Sequence, residues 1–196
     1  MPCTFIRLAG CPLRCTYCDT LQAIPVDSGN WMPIADLLAV VQKKQRPLVL
    51  VTGGEPLAQR HCGELLSGLL SLGCDVQLET SGAYLVTDVP NGVRKIIDLK
   101  APGSGEVARN RLENLDLLSA GDELKIVLTD RSDYLWARAM IEEHQLGRGD
   151  IPVLLSVVWG KLKPDELCQW MLEDRLPARF QMQMHKVVWG SEAVGV

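Results

Sequence analysis

Strand-length apolar runs alternate with segments of helical period along nearly the whole chain, a rhythm that fits a largely parallel sheet with helices packed on it. Thr4 to Ala9 reads as the first strand; a loop from Leu21 to Met32 follows, then a helix that opens near Pro33 and runs to about Gln45. Leu48 to Val51 reads as a buried strand, and residues 58–72 as a helix with Leu65, Leu66, Leu69 and Leu70 on its apolar face and Gly73 as its C-terminal cap. Strands are expected near 75–80, 94–99, 123–128, 152–158 and 179–188, and helices near 107–119, 132–145 and 164–174, the last opened by Pro164. No linker, low-complexity stretch or helical repeat interrupts the pattern, so residues 1–196 read as one domain. In a βα chain the loops and helix N-termini converge at the C-terminal ends of the strands, and chemistry is expected there.

The loop after the first strand, Gly10-Cys-Pro-Leu-Arg-Cys-Thr-Tyr-Cys-Asp-Thr20, places Cys11, Cys15 and Cys18 in a C-x3-C-x2-C triplet. Seven cysteines in 196 residues would produce that spacing by chance on the order of once in a hundred sequences. Three thiolates can each bind one iron of a [4Fe-4S] cube, which leaves a fourth iron open to a chelating ligand. The competing reading is a zinc or inert thiol site. A structural zinc site usually closes with four ligands in pairs, and Cys3, Cys62, Cys74 and Cys168 are scattered, as are His61, His144 and His185. The spacing favours the cluster, with zinc as the alternative.

Lys and Arg number 20 against 24 Asp and Glu, for a formal net charge of −4, so there is no basic footprint for nucleic acid. No apolar run approaches the ~20 residues of a membrane span, and no export signal is evident. An odd number of cysteines suits a reducing compartment better than a disulfide framework. A cytoplasmic protein with an oxygen-sensitive cluster is expected.

Val51-Thr52-Gly53-Gly54-Glu55-Pro56-Leu57 follows the second strand directly. Paired glycines let backbone groups approach a ligand closely, and Glu55 can accept a hydrogen bond from an ammonium group, although Gly-Gly in a plain turn is equally common. Glu79-Thr80-Ser81-Gly82, Asp98-Leu99-Lys100 and Lys125 also stand at strand ends. Singly, each reads as a turn, a cap or a solvated charge.

The cysteine triplet with Tyr17 before its third Cys, followed by Gly-Gly-Glu-Pro after the next strand, resembles the radical S-adenosylmethionine superfamily. Within it, Phe5-Ile6-Arg7-Leu8-Ala9-Gly10-Cys11, Cys18-Asp19-Thr20, Thr52-Gly53-Gly54-Glu55-Pro56, Asp98-Leu99-Lys100 and Gln183-Met184-His185-Lys186 resemble the 7-carboxy-7-deazaguanine synthase family. The matches span residues 4–189, and Cys-Asp-Thr and the late His-Lys are the more discriminating. The resemblance implies an α/β fold, an incomplete, open TIM-like βα barrel of mostly parallel strands. It implies a lyase that converts 6-carboxy-5,6,7,8-tetrahydropterin to 7-carboxy-7-deazaguanine with loss of ammonia, toward queuosine and other deazapurines. Its cofactors would be a [4Fe-4S] cluster, S-adenosylmethionine and Mg2+.

Carried over by residue, the resemblance gives Cys11, Cys15 and Cys18 to the cluster and the backbone of Tyr17 to the adenine. Gly53, Gly54 and Glu55 would receive the methionyl ammonium group, with Thr80, Ser81, Lys100 and Lys125 also beside the cofactor. Thr20 would ligate Mg2+, whose preference for hard oxygen donors suits a hydroxyl and substrate oxygens. Arg7 would pair with the substrate carboxylate, for which a guanidinium fork is well shaped; Gly54 and His185, the latter on the last strand, would also touch the pterin. A flavodoxin or ferredoxin as electron donor and a homodimer are further implications, with no nucleic-acid or membrane partner.

The family normally places a strand and a Gln-Gly-Glu-Gly-like segment before the cysteine loop, whereas this sequence opens at Met1-Pro2-Cys3. Either the start is misplaced, with Met1 an internal residue, or this is a shorter variant with weakened pterin recognition. A misplaced or alternative start is the expectation, and the chain as given is expected to bind a cluster and S-adenosylmethionine yet turn over slowly. Two other functions compete. An activating enzyme for a glycyl-radical partner would carry the same triplet and consume S-adenosylmethionine, and a non-catalytic iron-sulfur or zinc protein would not need the Gly-Gly-Glu-Pro turn.

Overall fold

The computed structural model describes residues 2–147, 149–191 and 193. Seven strands, β1 (Cys3–Leu8), β2 (Leu48–Gly53), β3 (Asp75–Thr80), β4 (Arg94–Asp98), β5 (Glu123–Leu128), β6 (Val153–Val157) and β7 (Arg179–Phe180), form one sheet in chain order. Every pairing is parallel. Among the described residues β1 pairs only with β2 and β7 only with β6, so the sheet is an open α/β barrel wall.

Period-two alternation gives the sheet two faces. Ile6, Val49, Val51, Val76 and Leu78 pack with helices α1 (Ile34–Lys44) and α2 (Cys62–Ser71) in one apolar cluster. Ile97, Leu124, Ile126, Leu128, Val153 and Leu155 pack with α3 (Arg131–Glu143) and α4 (Pro164–Glu173) in the other. Alternation then assigns Arg7, Glu79, Asp98 and Lys125 to the opposite, concave face. Gly73 ends α2 as expected: its φ is +76°, its N–H donates to the Leu70 carbonyl at 2.9 Å, and that of Cys74 donates to Leu69 at 3.2 Å.

Two expectations are corrected. Residues 107–119 form 3-10 turns at Val107–Arg109 and Leu112–Leu117 rather than a long helix. Two asparagines hold the chain away from a helix. Asn110 exchanges hydrogen bonds of 2.9 Å in both directions with the Lys100 backbone, while Asn114 accepts from Val86 N at 3.0 Å and donates to the Tyr84 carbonyl at 2.8 Å. The last strand is only two residues long, and His185 lies on a short helix, α5 (Met184–Trp189). Gln183 and Lys186, turned toward Asp19 in the cysteine loop, draw the chain off the sheet. No helix among the described residues is long and apolar enough to cross a membrane.

The cysteine loop and the segment after β4 are positioned through the start of α3. Asp130 caps that helix, accepting from Asp133 N at 3.0 Å. Asp133 is buried, and its carboxylate accepts from Gly103 N (2.7 Å), Thr129 N (2.9 Å) and Thr129 Oγ1 (2.6 Å). Thr16 completes the link, donating through N to Ser104 O at 3.0 Å and through Oγ1 to Gly103 O at 2.7 Å. Asp133→Ala should strand buried donors and cost about 2–4 kcal/mol in urea unfolding. A loss below about 1 kcal/mol would show that the clamp is dispensable.

Candidate cluster and cofactor site

The cysteine loop leaves β1 through Gly10, whose φ of +93° turns the chain back over the sheet edge. Gly10 N donates to Ala23 O at 2.8 Å and Cys11 N to Ile24 O at 3.0 Å, so the loop is stitched to the segment that follows it. Arg14 braces its middle: Nη1 donates to Cys11 O and Leu13 O, both at 2.8 Å, and N donates to Glu106 Oε1 at 2.6 Å. Cys11, Cys15 and Cys18 are free, partly buried thiols, and Cys18 N closes a turn onto Cys15 O at 3.2 Å. Burial pushes the Cys11 and Cys15 thiols above their ordinary range, so metal must displace protons there. Among the described residues no three His, Cys, Asp or Glu side chains converge on one metal ion, as a closed zinc site would need. A cube spreads its thiolates over separate irons, and the three-cysteine loop fits that donor set.

The Gly-Gly-Glu-Pro turn lies against this loop. Gly54 N donates to Leu8 O at 2.8 Å and Glu55 N to Gly10 O at 2.9 Å. The approach is so close that a Cβ on Gly53 would sit 2.1 Å from Leu8 O, and one on Gly54 2.3 Å from Gly10 O. Both glycines are therefore steric requirements of the crossing. Glu55 is fully buried, and its carboxylate accepts four hydrogen bonds: Leu57 N (2.8 Å) and Thr80 Oγ1 (2.8 Å) on Oε1, and Ser81 N (2.7 Å) and Ser81 Oγ on Oε2. The side chain ties the ends of β2 and β3 together.

On the concave face, Lys100 Nζ donates to Asp98 Oδ2 at 2.8 Å and Lys125 Nζ to Glu79 Oε1 at 2.5 Å. Burial alone would lower both amines, but Asp98 and Cys15 lift Lys100, and Glu79 and Asp98 lift Lys125, so both stay charged well above their ordinary range. Tyr17 reaches across to donate to Val127 O at 3.3 Å, and burial, reinforced by Asp98 and Cys15, raises its phenol so that it remains neutral. Asp98 Oδ1 is buried with no partner, an acceptor facing the same space.

Asp19 connects the loop to α5. It accepts from Thr20 Oγ1 at 2.9 Å and Gln183 Nε2 at 3.0 Å, with Lys186 Nζ at 3.8 Å. Burial alone would raise this carboxyl, but Thr20, Lys186, Lys125 and Gln183 hold it below the usual carboxylate range. Arg7, exposed on edge strand β1, has its guanidinium 5.1 Å from the Phe5 ring centroid. Half-buried His185 lies on α5 beside Lys186. The structure thus gathers the cysteines, Tyr17, Gly53, Gly54, Glu55, Thr80, Ser81, Lys100 and Lys125 at one edge. Thr20 and His185 stand on the two sides of the Asp19 contact, and Arg7 on the first strand. Asp19, Asp98 and Asn110 had no role assigned from sequence alone; the register that sets Asp98 beside Lys125 was the available signal for Asp98.

A family model described as the radical SAM superfamily matches residues 5–102. A 7-carboxy-7-deazaguanine synthase of Chlorobaculum tepidum is 43% identical over 198 residues, covering 100% of this chain and 89% of that protein. A protein of the same name from Koribacter versatilis is 39% identical, covering 100% of this chain and 92% of its own length. Among solved structures, Streptococcus suis SuiB bound to S-adenosylmethionine superposes with a TM-score of 0.64 at 13% identity, over 92% of this chain and 50% of SuiB. This chain spans about half of SuiB, and that likeness concerns the fold.

Gly54→Ala should force the β2 exit away from Gly10, lower stability by about 3 kcal/mol or more, and reduce iron retained after anaerobic reconstitution. Gly63→Ala in α2, whose new methyl would come no closer than 3.6 Å to Asp88 O, is the control and should be neutral or slightly stabilising. Equal behaviour of the two variants in urea titration and iron assay would refute the steric account.

Proposed function

Because the chain belongs to the radical SAM superfamily and, within it, to the 7-carboxy-7-deazaguanine synthase family, we propose that its strand-end loops assemble a lyase that converts 6-carboxy-5,6,7,8-tetrahydropterin to 7-carboxy-7-deazaguanine with loss of ammonia. The observation that carries this reading is the seam between the cysteine loop and the Gly-Gly-Glu-Pro turn, closed by Gly54 N to Leu8 O and Glu55 N to Gly10 O. It sets a three-thiolate loop against exposed backbone at the mouth of a charged concave face. A [4Fe-4S] cluster held by Cys11, Cys15 and Cys18 would supply one-electron reduction of S-adenosylmethionine and so give the site radical chemistry.

The chain's own residues bind and orient. Cys11, Cys15 and Cys18 ligate three irons, and the backbone of Gly53 and Gly54, held in place by Glu55, receives the methionyl ammonium group. Thr80 and Ser81 keep Glu55 in position at the edge of that site, and the backbone of Tyr17 meets the adenine. Lys100 and Lys125, held charged by Asp98 and Glu79, stand beside the cofactor carboxylate. Arg7 and His185 approach the pterin from β1 and α5, and the free Oδ1 of Asp98 accepts a ring N–H. Thr20, whose hydroxyl donates to Asp19 at 2.9 Å, would offer Mg2+ a hard oxygen ligand beside the substrate. The enzyme acts in the cytoplasm as a homodimer and takes its electron from a flavodoxin or ferredoxin.

Anaerobic incubation of the reconstituted protein with the carboxypterin, S-adenosylmethionine and dithionite should yield a deazaguanine, seen by ultraviolet absorption and mass; absence of that product would reject the assignment. In the same assay Arg7→Lys should lower kcat/KM by about ten- to a hundred-fold, the size of a lost charge-assisted contact of ~1.5–3 kcal/mol. An unchanged value would remove Arg7 from the substrate site.

Thr20→Ala should weaken the Mg2+ dependence of turnover while leaving iron content intact. The readout is rate against Mg2+ concentration, and superimposable curves for the variant and the parent would take Thr20 out of the metal site.

A further inference from the structure

The proposed reaction needs one electron delivered from outside, because the sequence supplies only one cysteine triplet for a redox centre. Delivery requires a carrier to dock close to the cysteine loop, where exposed arginines without a salt-bridge partner among the described residues stand beside Glu106, itself bonded to the loop. The whole chain carries a formal charge of −4. Beside the loop, however, three exposed arginines line up: Arg14, Arg109 and Arg111. Arg14 rests its guanidinium on the Cys11 and Leu13 carbonyls, and its backbone N–H occupies Glu106 Oε1. From Glu106 the chain makes a 3-10 turn, with Arg109 N donating to Glu106 O at 2.9 Å, and is pinned two residues later by Arg111 N donating to Gly82 O at 3.0 Å. Arg109 and Arg111 flank a cleft of about 390 Å³ that Ala83, Ala108 and Asn110 complete. Among the described residues none of the three arginines is in an ion pair.

We infer that the Arg14–Arg109–Arg111 rim is the docking surface for a small acidic one-electron carrier protein. The inference rests on the proposed reaction and adds where its electron enters. A net negative carrier is repelled by most of an acidic protein and drawn to its local positive rim, which raises encounter rates in a salt-dependent way. Nucleic acid is a poorer fit, since the patch is confined to three side chains with no aromatic rings between them. Transfer balances simply: a flavin hydroquinone gives one electron and becomes a semiquinone, and the cluster gains it. The Arg14 N–H bond to Glu106 Oε1 at 2.6 Å ties the cysteine loop to the segment that carries Arg109 and Arg111.

The test uses the reconstituted enzyme and a purified acidic flavodoxin. Arg109→Glu/Arg111→Glu is the main variant and Arg109→Gln/Arg111→Gln the milder one; Arg14 is left alone because it braces the loop. Thermal melts verify that both fold. Flavodoxin affinity, followed by flavin fluorescence, and the rate of cluster reduction by flavodoxin hydroquinone should each fall about ten-fold in the Glu pair at 50 mM salt, less in the Gln pair. The difference should shrink at 500 mM, where screening is nearly complete. Turnover driven by dithionite should match the parent. Unchanged flavodoxin binding, or an equal loss with dithionite, would overturn the docking surface. Failure of the parent itself to turn over with dithionite would instead reject the reaction, while the binding measurement still decides the surface.

Discussion

Glu55 is a carboxylate with no solvent exposure and, among the described residues, no cation paired with it. Burying such a charge is tolerable only when its lone pairs are taken up, and here two backbone N–H groups and two hydroxyls do so. The four donors come from the turn after β2 and from the end of β3, while the Glu55 amide holds the exit from β1. Three strand ends are thereby fixed relative to one another by a single residue, two through its side chain and one through its backbone. The cysteine loop, the twin glycines and the Thr80-Ser81 corner inherit their positions from it.

The concave face uses the opposite device. Its charges are paired, Lys100 with Asp98 at the end of β4 and Lys125 with Glu79 across strands, and each amine is held charged by acids while burial works against it. Such pairs contribute little net stability compared with apolar residues of similar volume, which suggests that their value lies in the field they set over the sheet edge. One oxygen, Asp98 Oδ1, is left over. An unpaired acceptor inside an otherwise balanced network is the place where a ligand's donor is most strongly rewarded.

Much of this was legible in the residues, because it rests on local chemistry. Apolar runs of strand length located β2 to β6, Gly73 announced the end of α2, and the cysteine triplet together with Gly-Gly-Glu-Pro pointed to the radical SAM superfamily. Elements decided by distant partners were not legible. Residues 107–119 have apolar positions compatible with a helix, but Asn110 and Asn114 spend their amides on the Lys100 and Tyr84–Val86 backbones, contacts that no local pattern encodes. The C-terminal run around Val187-Val188 suits a strand by composition, yet Asp19, more than 160 residues earlier, anchors Gln183 and favours a helix. The partners of the Glu55 carboxylate, Leu57, Thr80 and Ser81, were equally hidden, since two of them lie at the end of another strand.

Spatial order in the sheet equals chain order, so each strand can be added to one already made as the polypeptide leaves the ribosome. The cysteine loop is made well before its outer brace: Thr16 and Arg14 wait for Gly103, Ser104 and Glu106, and that segment waits in turn for Asp133. While those residues are still unmade, the loop is held only by its stitches to Ala23 and Ile24 and then by the turn after β2. Loading with iron and sulfide belongs to the end of biogenesis, and a nascent chain stalled before α3 would present its three cysteines on a loop held from one side.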